Sequence, residues 1–219
     1  MSIHHHLGED MLLAYAAGSL GEAQSVLVAT HLALCPHCRA LVRDAEAIGG
    51  HLLESIEPDA SDGGALDEVM RRIEFEPQEA SRAQAAAPAG ERPVLPQPLR
   101  GYLGADLGHL AWRPLGGGAW HVPIRTGRGR VTARLIRIGA GKPIPMHTHD
   151  GSEIAMVLTG SYRDRDLQFR PGDVQEADET VEHQPVADPG EDCICLAVID
   201  RPLRFRSWAA RLLQPVTRI

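Results

Sequence analysis

His31-Leu-Ala-Leu-Cys35-Pro-His-Cys38 is the stretch from which the N-terminal half of the chain is read. Residues 22–33 carry a helical pattern, which puts His31 and Cys35 one turn apart on one face. Pro36 ends that helix and fits the first turn of the next. Cys38 then returns from the second helix toward the same point. Three nitrogen and sulfur donors converging at a helix–helix corner suit tetrahedral Zn²⁺, which takes one more. The upstream run His4-His5-His6 is placed to supply it. Cys35-Pro-His-Cys38 is also the spacing of a thiol–disulfide site. That chemistry normally follows a strand in a βαβ unit, whereas a helix precedes this one. A third reading is two buried thiols close together by coincidence. The metal and redox readings are compatible, because oxidising the thiolates ejects the metal.

Outward from that corner the pattern stays helical. Residues 8–17 read as a short helix with Glu9 and Asp10 in its first turn and Gly18 as its stop. Residues 22–34 form a second helix, with Val26, Leu27, Thr30, His31 and Leu34 near one face. Residues 37–56 form a third, along which Leu41, Ala45, Ile48, Leu52 and Ile56 make an apolar stripe. Gly49-Gly50 weakens it and allows a kink. Pro58 to Gly64 is a turn, and residues 65–75 are a fourth, amphipathic helix with Leu66, Val69, Met70, Ile73 and Phe75 on its apolar side. Four helices in about 75 residues need a staple to be stable alone, and a zinc ion provides one.

The chain has 219 residues, 43% hydrophobic and 23% charged, ordinary values for a soluble globular protein. It lacks both a membrane-length apolar run and the basic and apolar regions of a signal peptide. The expectation is a cytoplasmic protein whose four cysteines stay reduced, which favours metal binding over disulfides. The net charge of −7 is unevenly spread: residues 1–90 hold five arginines against fourteen acids, a balance of −9. Such a surface repels nucleic acid and attracts basic partners. A DNA-reading zinc protein is disfavoured, since there is no basic recognition helix.

Residues 77–98 are dominated by alanine and proline without apolar periodicity and read as a linker. Beyond it come short strand-like runs punctuated by glycine and proline: Trp120 to Ile124, Val131 to Ile138, Glu153 to Leu158, Leu167 to Phe169, Asp173 to Gln175 and Cys193 to Ile199. Their pattern predicts an all-β sandwich or barrel. The fold class is therefore α+β with two domains, an all-α metal-binding helical bundle over 1–76 and an all-β barrel over 99–219. Trp112, Trp120 and Trp208 are expected in the core or closing the barrel.

The β region carries a second ligand set. In Gly141-Lys-Pro-Ile-Pro-Met-His147-Thr-His149-Asp-Gly-Ser-Glu153, the two histidines alternate and so face one side of a strand. Glu153 follows after a turn onto the same interior, and His183 is a candidate fourth ligand. Three imidazoles and a carboxylate suit Zn²⁺, Fe²⁺, Mn²⁺ or Ni²⁺, and spacing does not choose between them. Cys193 and Cys195 sit two apart on a strand, facing one way, either as small core residues or as an oxidant-reactive pair. An extended strand holds their side chains parallel, which disfavours a bridge between them.

Gly141 through Gly160 matches the first cupin motif: glycine, five residues, His-x-His, three residues, Glu, six residues, glycine. Of the second motif only Gly172 and His183 fit; Asp178, Thr180 and Ala187 replace its proline, glycine and asparagine. A His-x₃-Cys-x₂-Cys helical domain joined to a single cupin resembles the ChrR-type anti-sigma factors along nearly the whole chain. The resemblance implies N-terminal zinc ligands His6, His31, Cys35 and Cys38. It implies cupin ligands His147, His149, Glu153 and His183, with zinc as the metal. It implies a helical domain that sequesters an extracytoplasmic-function sigma factor, with no direct nucleic-acid or membrane contact. The cupin would be required for release under singlet oxygen or related oxidants. On this reading the fourth helix docks on the partner through Leu66, Val69, Met70 and Ile73, and Cys193 and Cys195 are redox candidates. The alternative is a metal-dependent cupin dioxygenase or isomerase carrying a zinc interaction module.

Overall fold

The computed structural model describes residues 2–58, 63–75, 93–127 and 131–205. Helices α1 (Glu9–Ala16), α2 (Glu22–Leu34), α3 (Pro36–Glu54) and α4 (Ala65–Phe75) appear where the periodicity puts them. Pro36 occupies the first turn of α3, where its missing N–H costs nothing, and the Cys35 sulfur caps that helix by accepting from the Cys38 N–H. The axes of α2 and α3 bend by 118° at this break, which makes the predicted corner. α3 runs as one helix through Gly49-Gly50.

Most of the linker read over 77–98 lies outside the described residues, as does Trp208. Its last two residues open a short helix, α5 (Gln97–Leu103), that the sequence pattern did not announce. α5 buries Leu99, and its Tyr102 hydroxyl donates to Glu22 of α2 at 2.8 Å. α5 packs on α2, so the helical layer is not confined to the first 76 residues.

Eleven strands follow among the described residues: β1 (Arg113–Gly116), β2 (Ala119–Ile124), β3 (Thr132–Ile138), β4 (His147–Thr148), β5 (Glu153–Thr159), β6 (Tyr162–Asp164), β7 (Leu167–Phe169), β8 (Val174–Ala177), β9 (Val186–Ala187), β10 (Cys193–Ile199) and β11 (Arg204–Phe205). They form a six-stranded sheet in the order β1-β2-β3-β10-β5-β8, a three-stranded sheet β7-β6-β9 and the pair β11-β4. Every pairing is antiparallel, as an all-β sandwich or barrel built from hairpins requires. Gly160, last residue of the first cupin motif, has φ +68°, and a Cβ there would lie 2.5 Å from the Asp192 carbonyl oxygen. Only glycine satisfies both limits.

The two halves share one core. Leu12, Val26, Leu27, Leu95 and Leu99 from the helical side join Leu135, Ile154, Met156, Leu196 and Val198 from the outer face of the six-stranded sheet. Both faces of the central strands are therefore covered, and every residue of β10 is buried. The N-terminal segment adds to this contact. His5 pairs with β8, its carbonyl accepting from the Val174 N–H at 3.0 Å. Trp120, expected in the core or closing the barrel, is half-buried, and the Arg137 guanidinium stacks over its ring at 5.3 Å.

Candidate metal centres

The structure brings the eight residues singled out as ligands into two sets of four. In each set the donor atoms lie within 4.8 Å of one another.

In the first set, His31 and Cys35 come from the end of α2, Cys38 from the first turn of α3, and His6 from the extended N-terminal segment. His31 Nε2 lies 3.2 Å from Cys38 Sγ, and His6 Nδ1 lies 3.4 Å from Cys35 Sγ and 3.5 Å from Cys38 Sγ. His31 donates from Nδ1 to the Gly172 carbonyl at 3.0 Å, which leaves Nε2 bare and turned toward the sulfurs. Burial lowers its pKa to about 4, so the imidazole is neutral at pH 7, as a ligand must be. Burial and the Cys35 thiol beside it push the Cys38 thiol up to about 12. A cation at the centre inverts that balance and holds both sulfurs as thiolates. Two thiolates and two imidazoles, with His31, Cys35 and Cys38 buried and His6 at the surface, match structural Zn²⁺. His4 and His5 do not join the set, and exposed His37 approaches only His6, ring to ring at 4.9 Å.

In the second set, His147 on β4, His149 just after that strand and Glu153 at the start of β5 meet His183, which bridges back to His147 by paired backbone hydrogen bonds of 3.1 Å. Glu153 Oε2 lies 2.7 Å from His149 Nε2, 3.5 Å from His147 Nε2 and 4.0 Å from His183 Nε2. His147 Nδ1 donates to the Pro145 carbonyl at 2.9 Å, and His183 Nδ1 donates to the Asp164 carboxylate at 2.8 Å. With each Nδ1 engaged as a donor, both Nε2 atoms turn toward the centre of the set, 3.0 Å apart, and each can offer a lone pair to a cation there. Burial alone would raise the Glu153 pKa, but hydrogen bonds and charge from His147 and His149 outweigh it and hold the carboxyl at about 2. The donor set fits a divalent metal, and nothing in it selects which one.

Above this set lies a cavity of about 290 Å³, walled by Leu115, Ile136, Ile138, Ile144, Leu203 and Phe205. Tyr162 and Gln175 bring polar atoms to it, and Gln175 ties Tyr162 to Asp164 by bonds of 2.7 and 2.6 Å. Cys195 also lines the cavity, with its sulfur 3.7 Å from Cys193 Sγ. That is contact rather than a bond, and the Cys193 hydrogen bond together with burial raises the Cys195 thiol well above its usual range. His121, read from the sequence as an ordinary histidine, is buried on β2, with burial and the charge of Arg134 lowering its pKa.

Residues 102–201 match the ChrR cupin-like domain family, and residues 9–39 match a putative zinc-finger family. The chain is 44% identical over all 219 residues to the anti-sigma-E factor ChrR of Cereibacter sphaeroides, covering 100% of both proteins. The chain belongs to the ChrR family of anti-sigma factors. A chain in the crystal structure of Rhodobacter sphaeroides SigE in complex with the anti-sigma ChrR superimposes with a TM-score of 0.80 at 41% identity, covering 91% of this chain and 100% of that one. At this identity the likeness to a ChrR fold extends across helical and cupin parts alike. No single helix among the described residues is long and apolar enough to cross a membrane.

Proposed function

We propose that this ChrR-family protein sequesters an extracytoplasmic-function sigma factor through its zinc-stapled helical domain, in the cytoplasm and without direct contact to nucleic acid. One observation carries the reading. No residue of α4 is buried, and its apolar residues Leu66, Val69, Met70 and Ile73 are 71, 52, 57 and 58% exposed. An aligned apolar face left open on an amphipathic helix is a docking surface for a partner. The second half of α3 extends it. Ile48 and Leu52 of the predicted stripe, Leu53 beside them and Ile56 just past the helix end are all exposed. The −9 balance of residues 1–90 adds charge complementarity toward a basic partner surface. The sigma factor paired with ChrR in the related crystal structure supports the choice of partner. Val69→Asp combined with Met70→Asp abolishes co-purification with the cognate sigma factor on this reading. Retained binding by a folded double variant removes it.

The finer part of the proposal concerns release. The cupin, holding Zn²⁺ or another divalent metal on His147, His149, Glu153 and His183, answers oxidants of the singlet-oxygen type and lets the sigma factor go. Cys195 stands at the wall of the cavity that also exposes His147, Glu153 and His183, so an oxidant inside it reaches both the thiol and the metal set. An unchanged oxidant response in Cys193→Ser with Cys195→Ser rejects a thiol trigger and leaves the metal set as the sensing element.

The cavity above the second set supports an alternative reading, a metal-dependent dioxygenase or isomerase. Such an enzyme needs an open metal position and room for substrate. Iron in the purified protein with turnover of a diketone or thiol substrate favours this alternative; a catalytically inert chain that releases its sigma factor under oxidant favours the first.

A further inference from the structure

The helical domain's metal set is not closed by helical-domain residues alone. His31 Nδ1 reaches across to the Gly172 carbonyl, 141 positions along the chain, at 3.0 Å. The next residue, Asp173, is buried in the β domain and accepts from the His4 N–H at 2.7 Å and the His5 N–H at 3.0 Å through one carboxylate oxygen. Its other oxygen accepts from the Arg170 N–H at 2.9 Å, which fixes the carboxylate. Val174 then bonds the His5 carbonyl, and the His5 ring packs on Phe169 at 4.5 Å. The segment so held carries His6, which approaches Cys35, Cys38 and the His37 ring, and Gly8 beyond it donates to Glu176 of β8 at 3.0 Å.

We propose that Gly172 and Asp173 are positioning residues for the N-terminal metal. The β domain thereby fixes the orientation of His31 and the place of His6, and so sets how tightly the helical domain keeps its zinc. Outer contacts of this kind set the tautomer and direction of a ligating imidazole, and losing one typically costs about 10–100-fold in metal affinity. The arrangement rests on the sequestration reading for its consequence, since a helical domain that loses its staple loses its partner-binding shape. It gives the β domain a physical handle on that event. Gly172 has φ +92°, so the carbonyl direction that meets His31 is one that glycine adopts freely.

The test uses the full chain loaded with Co²⁺, without any sigma factor. The thiolate-to-cobalt charge-transfer band reports the first set alone, because the second set holds no sulfur. Loss of that band to excess chelator is timed in the parent chain, Asp173→Ala and Asp173→Asn, with the metal remaining in the second set measured alongside. Loss from the sulfur site should be about tenfold faster or more in Asp173→Ala. It should be intermediate in Asp173→Asn, whose carboxamide oxygen still accepts from the His4 and His5 N–H groups. Equal rates in all three chains overturn the proposal, as does equal acceleration at both metal sets, which signals general loosening. Should Asp173→Ala not fold, Asp173→Asn decides alone by the same comparison. Because no partner enters the assay, its outcome is independent of whether the sequestration reading holds; co-purification with the sigma factor tests that separately.

Discussion

At the residue scale, protonation sets two clear expectations. His31 has its pKa lowered to about 4 in the folded chain, against an unfolded value near 6.5. The unfolded state therefore binds the proton first as pH falls. The stability from a buried neutral His31 is complete above about pH 6.5 and is lost as pH drops toward 4. Thermal unfolding of the metal-free chain between pH 7 and 4 should show this decline. In the zinc-loaded chain, protons compete for the same nitrogen and for the thiolates, so metal loss moves in the same direction. Glu153, held at about 2, behaves likewise at lower pH: its contribution stands above about 4.5 and disappears as pH falls through 2. Gly160 makes a second residue-level prediction. Gly160→Ala meets the Asp192 backbone at 2.5 Å with φ +68° and should cost about 2 kcal/mol or more in a denaturant titration.

At the element scale, α3 changes character along its length. Its first half buries Cys38 and Val42, while Ile48, Leu52 and Leu53 are exposed in its second half. Helical periodicity was legible in the sequence, but what the stripe faces was not. An apolar face looks the same whether it meets its own bundle or another protein. Ile48→Asp with Leu52→Asp should leave stability within about 0.5 kcal/mol, since no buried contact is lost, yet abolish sigma-factor binding in a pull-down. Gly49 and Gly50 have nothing within 4 Å of where a Cβ would stand. Replacing either with alanine should raise helix stability by about 0.5–1 kcal/mol, read as an increase in Tm. In β5 and β10 the sequence held a signal that went unread. Glu153-Ile-Ala-Met-Val-Leu and Cys193-Ile-Cys-Leu-Ala-Val-Ile are nearly unbroken apolar runs, the mark of strands covered on both faces. The second cover is the helical layer packed on the sheet.

At the scale of the whole molecule, β8 links the two metal sets. Asp173 beside it holds the N-terminal segment, and Gln175 on it bonds Asp164, the partner of His183. Emptying the second set by His183→Ala should therefore speed metal loss from the sulfur set of the full chain, measured by the thiolate-to-cobalt band; an unchanged rate would show that the sets are independent. Local chemistry made α1 to α4, most of the longer strands and the closely spaced members of both ligand sets readable from sequence. Helical spacing brings His31 and Cys35 together, Pro36 turns the corner for Cys38, and strand alternation with a short turn gathers His147, His149 and Glu153. Each of these is a short-range consequence of backbone geometry. Tertiary structure alone decided that α2 and α5 cap the sheet, that His6 rather than His4 or His5 reaches the sulfurs by geometry, and that a β-domain carbonyl orients His31. Those contacts join residues up to 169 positions apart, and no periodicity within one segment encodes which distant surface will cover it.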